Sequence, residues 1–133
     1  METIRKINDE LAIAGQIVLE QLLELADGGF RSVVNLRSPQ ESGFLWEEEK
    51  KAALLALDYM NCPITVDDIN EEMLLNTFKQ ISELPKPVLV HCDTGIRSAL
   101  IVLMYLAIQH GATPRQAFHQ AQNLGLLTPS YQI

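Results

Sequence analysis

The apolar and polar positions along this chain change period repeatedly, and the changes mark out strands alternating with helices. Leu11-Ala12-Ile13-Ala14, closed by Gly15, reads as a first strand. Val18 to Ala26 reads as a short helix ended by Asp27-Gly28-Gly29. Phe30 to Leu36 is rich in β-branched and apolar residues and predicts a second strand, followed by a polar loop from Arg37 to Gly43. Trp46 to Leu57 reads as a helix with Glu47 and Lys51 spaced to pair, and Tyr59 to Ile64 as a third strand. Asn70 to Glu83 is amphipathic, with Leu74, Phe78 and Ile81 on one face, and Asp68 and Glu71 have capping-box spacing ahead of it. Pro85-Lys86-Pro87 is a stiff turn into a strand at Val88–Val90. Ser98 to Gln109 is almost wholly apolar, the pattern of a central buried helix, and Gly111 ends it. Thr113-Pro114 opens a last helix, Arg115 to Asn123, which Gly125 closes.

Such alternation predicts an α/β fold, with a mainly parallel central sheet flanked by helices. The length of 133 residues suits one domain, 1–133, with no repeat or low-complexity segment. The segment Ala99–Ile108 is too short to cross a bilayer, and no apolar signal segment follows Met1–Lys6. A reducing cytoplasm is the expected compartment.

The chemistry is concentrated in Val88-Leu89-Val90-His91-Cys92-Asp93-Thr94-Gly95-Ile96-Arg97-Ser98. A strand ends in His-Cys, a turn containing Gly follows, and Arg-Ser opens the apolar helix. Backbone N–H groups of a tight turn feeding a helix N-terminus converge on one concavity and favour negative charge there. The same field favours a thiolate at Cys92. Arg97 adds a planar fork of donors able to grip two oxygens of a phosphate, and Ser98 can donate to the sulfur. The loop residues Asp93, Thr94, Gly95 and Ile96 would line the anion site with Arg97. A cysteine at the end of a strand is more often a small hydrophobe. Here each neighbour has a part in an anion-binding, nucleophilic arrangement, and that combination favours chemistry.

Charge and cysteine count narrow the partners. A net charge of −7 argues against nucleic acid and against anionic membrane surfaces, while leaving room for a local anion site. Two cysteines, Cys62 and Cys92, make neither a disulfide scaffold nor a zinc site, so no metal and no cofactor is expected. A Cys62–Cys92 disulfide would need Cα atoms within about 7 Å.

The loop resembles the phosphate loop of cysteine-based protein tyrosine and dual-specificity phosphatases, whose signature is His-Cys, five residues, then Arg-Ser or Arg-Thr. In this chain four residues separate Cys92 from Arg97, so the loop is one residue shorter. That spacing is similar to two groups: rhodanese sulfurtransferases, whose loop carries a persulfide, and a bacterial phosphatase-like family found alone or fused to beta-lactamase-like hydrolases. The second likeness extends over roughly residues 10 to 110 and includes Ile13-Ala14-Gly15-Gln16, Phe30-Arg31-Ser32-Val33-Val34-Asn35-Leu36-Arg37 with Glu41, and Cys62-Pro63-Ile64.

The resemblance implies a cysteine-phosphatase-like fold and hydrolysis of a phosphate monoester through a phosphocysteine. Cys92 would be the nucleophile, Arg97 and the loop amides the phosphate ligands, and Ser98 an aid to breakdown of the intermediate. His91 would support the loop geometry and the thiolate. The general acid of the dual-specificity families lies on the loop that here holds Asp67 and Asp68. Asp68 has an alternative use as a helix cap, so Asp67 is preferred. Asp93 is odd in an anion site, and its side chain is expected to point to solvent. Arg37 and Glu41 are expected to form a scaffolding pair near the site, and His110 and His119 to lie on the surface. The substrate, whether phosphotyrosine, phosphoserine, a phosphoinositide or a small metabolite, stays open, as does the oligomeric state. Two other readings also stay open. A rhodanese-like sulfurtransferase is favoured by the spacing and by Asn35-Leu36-Arg37-Ser38-Pro39-Gln40-Glu41, but Asn35 stands where Asp is expected and a helix from Trp46 replaces the following segment. A non-catalytic phosphate-binding module would need neither Cys92 nor Ser98.

Overall fold

The computed structural model describes residues 3–65, 67 and 69–123. The elements run β1 (Arg5–Lys6), β2 (Leu11–Ala14), α1 (Leu19–Asp27), β3 (Ser32–Asn35), α2 (Glu48–Leu54), β4 (Asp58–Asn61), α3 (Glu71–Glu83), β5 (Val88–His91), α4 (Ile96–Gln109) and α5 (Pro114–Asn123). The strands form one five-stranded sheet in the order β1-β2-β5-β3-β4. All pairs are parallel except β1 with β2. The expected α/β architecture with a mainly parallel sheet is therefore present.

Side-chain alternation along the strands divides the core into two layers. Leu11, Val34, Val88 and Val90 face a cluster with Leu74, Phe78, Ile81, Leu100, Ile101 and Met104 of α3 and α4. Ala12, Ala14, Val33 and Leu89 face the opposite layer, with Leu22 and Leu25 of α1 and Ala52 of α2. Strands covered on both faces read as unbroken apolar runs, which is why Val88–Val90 and Val33–Val34 carry no polar positions. Strand β5 is the middle of the sheet. Its last residue, His91, stands opposite Ala14 on one side and Asn35 on the other. The ends of β2 and β3 thus wall the loop that leaves β5, at the carboxyl edge where open α/β sheets place their ligands.

Boundaries differ from expectation for identifiable reasons. The edge strand β1 is two exposed, charged residues with no apolar alternation to announce it. Helix α2 stops at Leu54 because the chain turns into the left-handed region at Ala56, with φ of 60°. Regular pairing in β4 ends at Asn61, yet Cys62 N–H donates to Asn35 O at 2.8 Å and Ile64 N–H to Leu36 O at 2.9 Å, so the segment to Ile64 still runs along β3. Helix α3 is capped by Asn70, whose side chain accepts from Met73 N–H at 2.8 Å, and not by the anticipated Asp68, which lies outside the described residues. Helix α4 begins two residues early, at Ile96, and is not buried all round: Leu103 is exposed. No helix among the described residues is long and apolar enough to cross a membrane.

Candidate active site

The loop from Cys92 to Arg97 is pinned from both sides. Cys92 N–H donates to Ala14 O at 3.3 Å, Gln16 N–H to Asp93 O at 2.9 Å, and Leu36 N–H to His91 O at 2.9 Å. The turn depends on Gly95, whose φ of 97° lies where only glycine is unstrained. This conformation aims Gly95 N–H at Cys92 Sγ, 3.0 Å away. The sulfur is buried. It therefore receives an amide N–H at the mouth of α4. Ser98 is buried beside it with Oγ 3.8 Å from Sγ, while its hydroxyl has nearer acceptors in Gly95 O at 2.9 Å and Ala14 O at 3.0 Å. In this resting geometry the donor to sulfur is the Gly95 amide, and Ser98 must turn to take that part.

Arg97 lies across the loop with its guanidinium fixed by carboxylates. Nη1 donates to Glu41 Oε2 and Nη2 to Glu41 Oε1, each at 2.8 Å. Nη1 also donates to Ile64 O at 3.0 Å, and Nη2 lies 2.9 Å from Asp93 Oδ1. Asp93 is exposed, as expected, but it does not point away from the site: its Oδ1 lies 2.9 Å from Arg97 Nη2, four residues on, and accepts Thr94 N–H at 2.8 Å.

Glu41 does more than scaffold its own loop. Besides Arg97 it accepts from Arg37 Nε at 3.1 Å and Ser38 N–H at 2.7 Å. From there a chain of hydrogen bonds returns to the nucleophile. Arg37 Nη1 donates to Gln16 Oε1 at 2.8 Å, and Gln16 Nε2 donates to Glu48 Oε1 at 3.1 Å. His91 Nε2 and Glu48 Oε2 share a hydrogen bond of 2.5 Å, and His91 Nδ1 lies 3.3 Å from the Cys92 carbonyl oxygen. Arg97 and Cys92, the two ends of the loop, are thus tied through one polar circuit. His91 and Glu48 are both fully buried, so removing either leaves an uncompensated polar group in the core.

Gln16 and Glu48 were not anticipated. Glu48 sits within Glu47-Glu48-Glu49, which reads as a solvated run. The available signal was helical phase: Glu48 lies four residues before the buried Ala52 and so on the apolar face of α2.

Cys92, Asp93, Thr94, Gly95, Arg97, Ser98 and His91 come together. Ile96 is exposed on the first turn of α4. Asp67 is exposed, three residues beyond the Ile64 whose carbonyl meets Arg97. Cys62 and Cys92 are both free thiols, and Cys62 Sγ lies 3.3 Å from Thr77 Oγ1, so the disulfide considered above is not formed. His110 and His119 are exposed, as expected.

The electrostatics follow the contacts. Hydrogen bonds from Arg97, against the opposing effect of burial and with help from Ser38 N–H and Arg37, hold Glu41 down at about 2, from an ordinary 4.5. Glu41 in turn raises Arg97 against the opposing effect of burial, with Asp93 adding to it. Burial pushes Asp93 up, but the Arg97 hydrogen bond, Thr94 N–H and the Arg97 charge outweigh it and leave it lowered. A carboxylate lowered on folding contributes stability above its unfolded value and loses it as pH falls towards the folded one. The Glu41 contribution should therefore be complete above about pH 4.5 and vanish towards pH 2. Denaturant unfolding at pH 6 and pH 3 should show wild type losing on the order of 1 kcal/mol more than Glu41→Gln between the two, a figure reduced for solvent screening. Equal losses would mean that Glu41 is not ionised in this network.

Residues 3–109 match the family "Beta-lactamase hydrolase-like protein, phosphatase-like domain". The chain belongs to this family. Curated relatives include beta-lactamase hydrolase-like proteins of Agrobacterium fabrum, 29% identical over 108 residues, and Xylella fastidiosa, 33% identical over 100 residues. These matches cover 78% and 71% of the chain but 25% and 23% of the relatives, so the phosphatase-like domain spans about a quarter of their length. Among solved structures, a DUF442 protein of Shewanella putrefaciens CN-32 superposes with a TM-score of 0.78 at 21% identity, covering 97% of this chain and 83% of that one. TpbA of P. aeruginosa, solved in complex with phosphotyrosine, superposes with a TM-score of 0.68 at 16% identity, covering 96% and 76%. At these identities the structural likeness establishes a shared fold, that of the protein tyrosine and dual-specificity phosphatases.

Proposed function

We propose that this domain is a cysteine-dependent phosphatase that hydrolyses phosphate monoesters through a phosphocysteine at Cys92. The observation that carries this reading is the Cys92 sulfur under the Gly95 amide, 3.0 Å away, with the Arg97 guanidinium held over the same loop by Glu41. The thiolate attacks phosphorus while the bond to the ester oxygen breaks. Arg97 and the amides of Thr94, Gly95 and Ile96 take up charge on the equatorial oxygens, where preorganised donors are most effective. Asp67 gives its proton to the departing oxygen. In the second half, Asp67 takes a proton from water, that water attacks the phosphocysteine, and the sulfur–phosphorus bond breaks as Ser98 turns to donate to the leaving sulfur. His91, hydrogen-bonded to Glu48 and lying against the Cys92 carbonyl, fixes the end of β5 from which the loop departs. An aryl ester such as phosphotyrosine suits this chemistry, and the phosphotyrosine complex of TpbA, which shares the fold, supports that substrate class. A reducing cytoplasm, which would keep Cys92 as a thiol, is the compartment this reading expects.

Acid quench of the enzyme turning over an aryl phosphate, followed by peptide mass spectrometry, should find one phosphoryl group on the peptide bearing Cys92. Phosphoryl on another residue, or turnover with none trapped at any time point, would count against a phosphocysteine route.

A further inference from the structure

The resting site already holds an anion of its own. A guanidinium offers five N–H donors along two usable edges. Glu41 takes the Nη1–Nη2 edge with both oxygens at 2.8 Å. The second hydrogen of Nη1 goes to Ile64 O at 3.0 Å. What is left for a bidentate anion is the edge formed by Nε and Nη2, and there Asp93 Oδ1 lies 2.9 Å from Nη2. The same oxygen accepts Thr94 N–H at 2.8 Å. One carboxylate oxygen thus occupies an arginine donor and a loop amide together, the pair a phosphoryl oxygen would use.

We propose that Asp93 determines the anion selectivity of the site: its carboxylate is the resting ligand of Arg97, and a phosphoryl group binds by displacing it. This rests on the phosphatase reading and assigns to the loop a residue that opposes its own ligand. The asymmetry between the two carboxylates says which one yields. Glu41 has additional donors in Arg37 and Ser38, and its side chain is 27% exposed. Besides Arg97, Asp93 has only neutral partners among the described residues, the Thr94 amide and its own N–H, and its side chain is 45% exposed, with open solvent to swing into. Glu41 therefore stays and orients the guanidinium while Asp93 exchanges. Even when displaced, its charge remains beside the bound anion and disfavours more highly charged ligands. The consequence is a site that releases inorganic phosphate readily and does not fill with small anions.

Titration calorimetry with inorganic phosphate on the intact chain tests this, using wild type, Asp93→Asn, Asp93→Ala and Arg97→Met. The Asn variant keeps an acceptor for Thr94 N–H, so it guards against a folding defect in the Ala variant. Removing the charge should tighten phosphate about tenfold in both Asp93 variants, the scale of one charge-assisted hydrogen bond. KM for an aryl phosphate should fall to a similar extent without a matching loss of kcat, a split that a purely structural role would not produce. Phosphate that binds wild type, is lost in Arg97→Met and is not tightened by either Asp93 variant would overturn the assignment while leaving the phosphatase reading intact. Phosphate bound by none of the four proteins would overturn both.

Discussion

Cys92→Ser should lower hydrolysis of an aryl phosphate by roughly 10⁴-fold or more, the scale at which deleting a nucleophile leaves only binding and oxyanion-type stabilisation. The reason lies in what the loop can stabilise. Gly95 N–H donates to the sulfur from 3.0 Å, and a serine hydroxyl in the same place is a much weaker nucleophile than sulfur. Arg97→Met should cost about 10³-fold, as arginine stabilisation of a phosphoryl transition state does elsewhere. Glu41→Gln should fall between wild type and Arg97→Met, because it leaves the guanidinium in place but removes the bidentate brace that orients it. Activity should persist in EDTA, since Arg97 and the loop amides are the charge-stabilising groups in this mechanism. Hydrolysis retained by Cys92→Ser, with the mutant protein folded, would remove the nucleophile and with it the whole scheme.

The loop was legible in the sequence because its logic is local. Strand end, turn, glycine and helix start are contiguous, and each residue's part follows from its position relative to the next. The α/β layout was legible for a similar reason, since fully buried strands such as Val88–Val90 and amphipathic helices such as α3 carry different periods. The polar circuit was not. His91 meets Glu48 across 43 positions and Gln16 meets Glu48 across 32, and no local pattern encodes such contacts. Arg37 with Glu41 was legible as a pair four residues apart, yet its reach to Arg97, 56 positions from Glu41, required the sheet order that brings the end of β3 beside β5. Asp93 is an instructive error. Treating the loop as an anion site implied that a carboxylate would be expelled from it. The donors that favour a phosphoryl oxygen favour a carboxylate oxygen too, and Asp93 Oδ1 lies 2.9 Å from Arg97 Nη2 while accepting Thr94 N–H.

Asp67 separates the enzymatic readings. It follows by three residues the Ile64 whose carbonyl accepts from Arg97, its side chain is exposed, and in the proposed mechanism it is the acid that protonates the leaving oxygen. Asp67→Asn should lower hydrolysis of substrates with poor leaving groups, such as alkyl phosphates, by about 10²–10⁴-fold, and should affect activated aryl phosphates far less. A plot of rate against leaving-group basicity should therefore steepen in the variant. A sulfurtransferase moving sulfur from thiosulfate to cyanide has no oxygen to protonate. If the protein instead forms a stable persulfide on Cys92, turns it over with cyanide and is indifferent to Asp67→Asn, the short loop is serving sulfur transfer. If it does neither reaction but binds phosphate through Arg97, it is a binding module. The phosphatase outcome is expected because Arg97 is braced to face an anion over the loop, and because the match to the phosphatase-like family runs through residues 3–109 and is not confined to the loop.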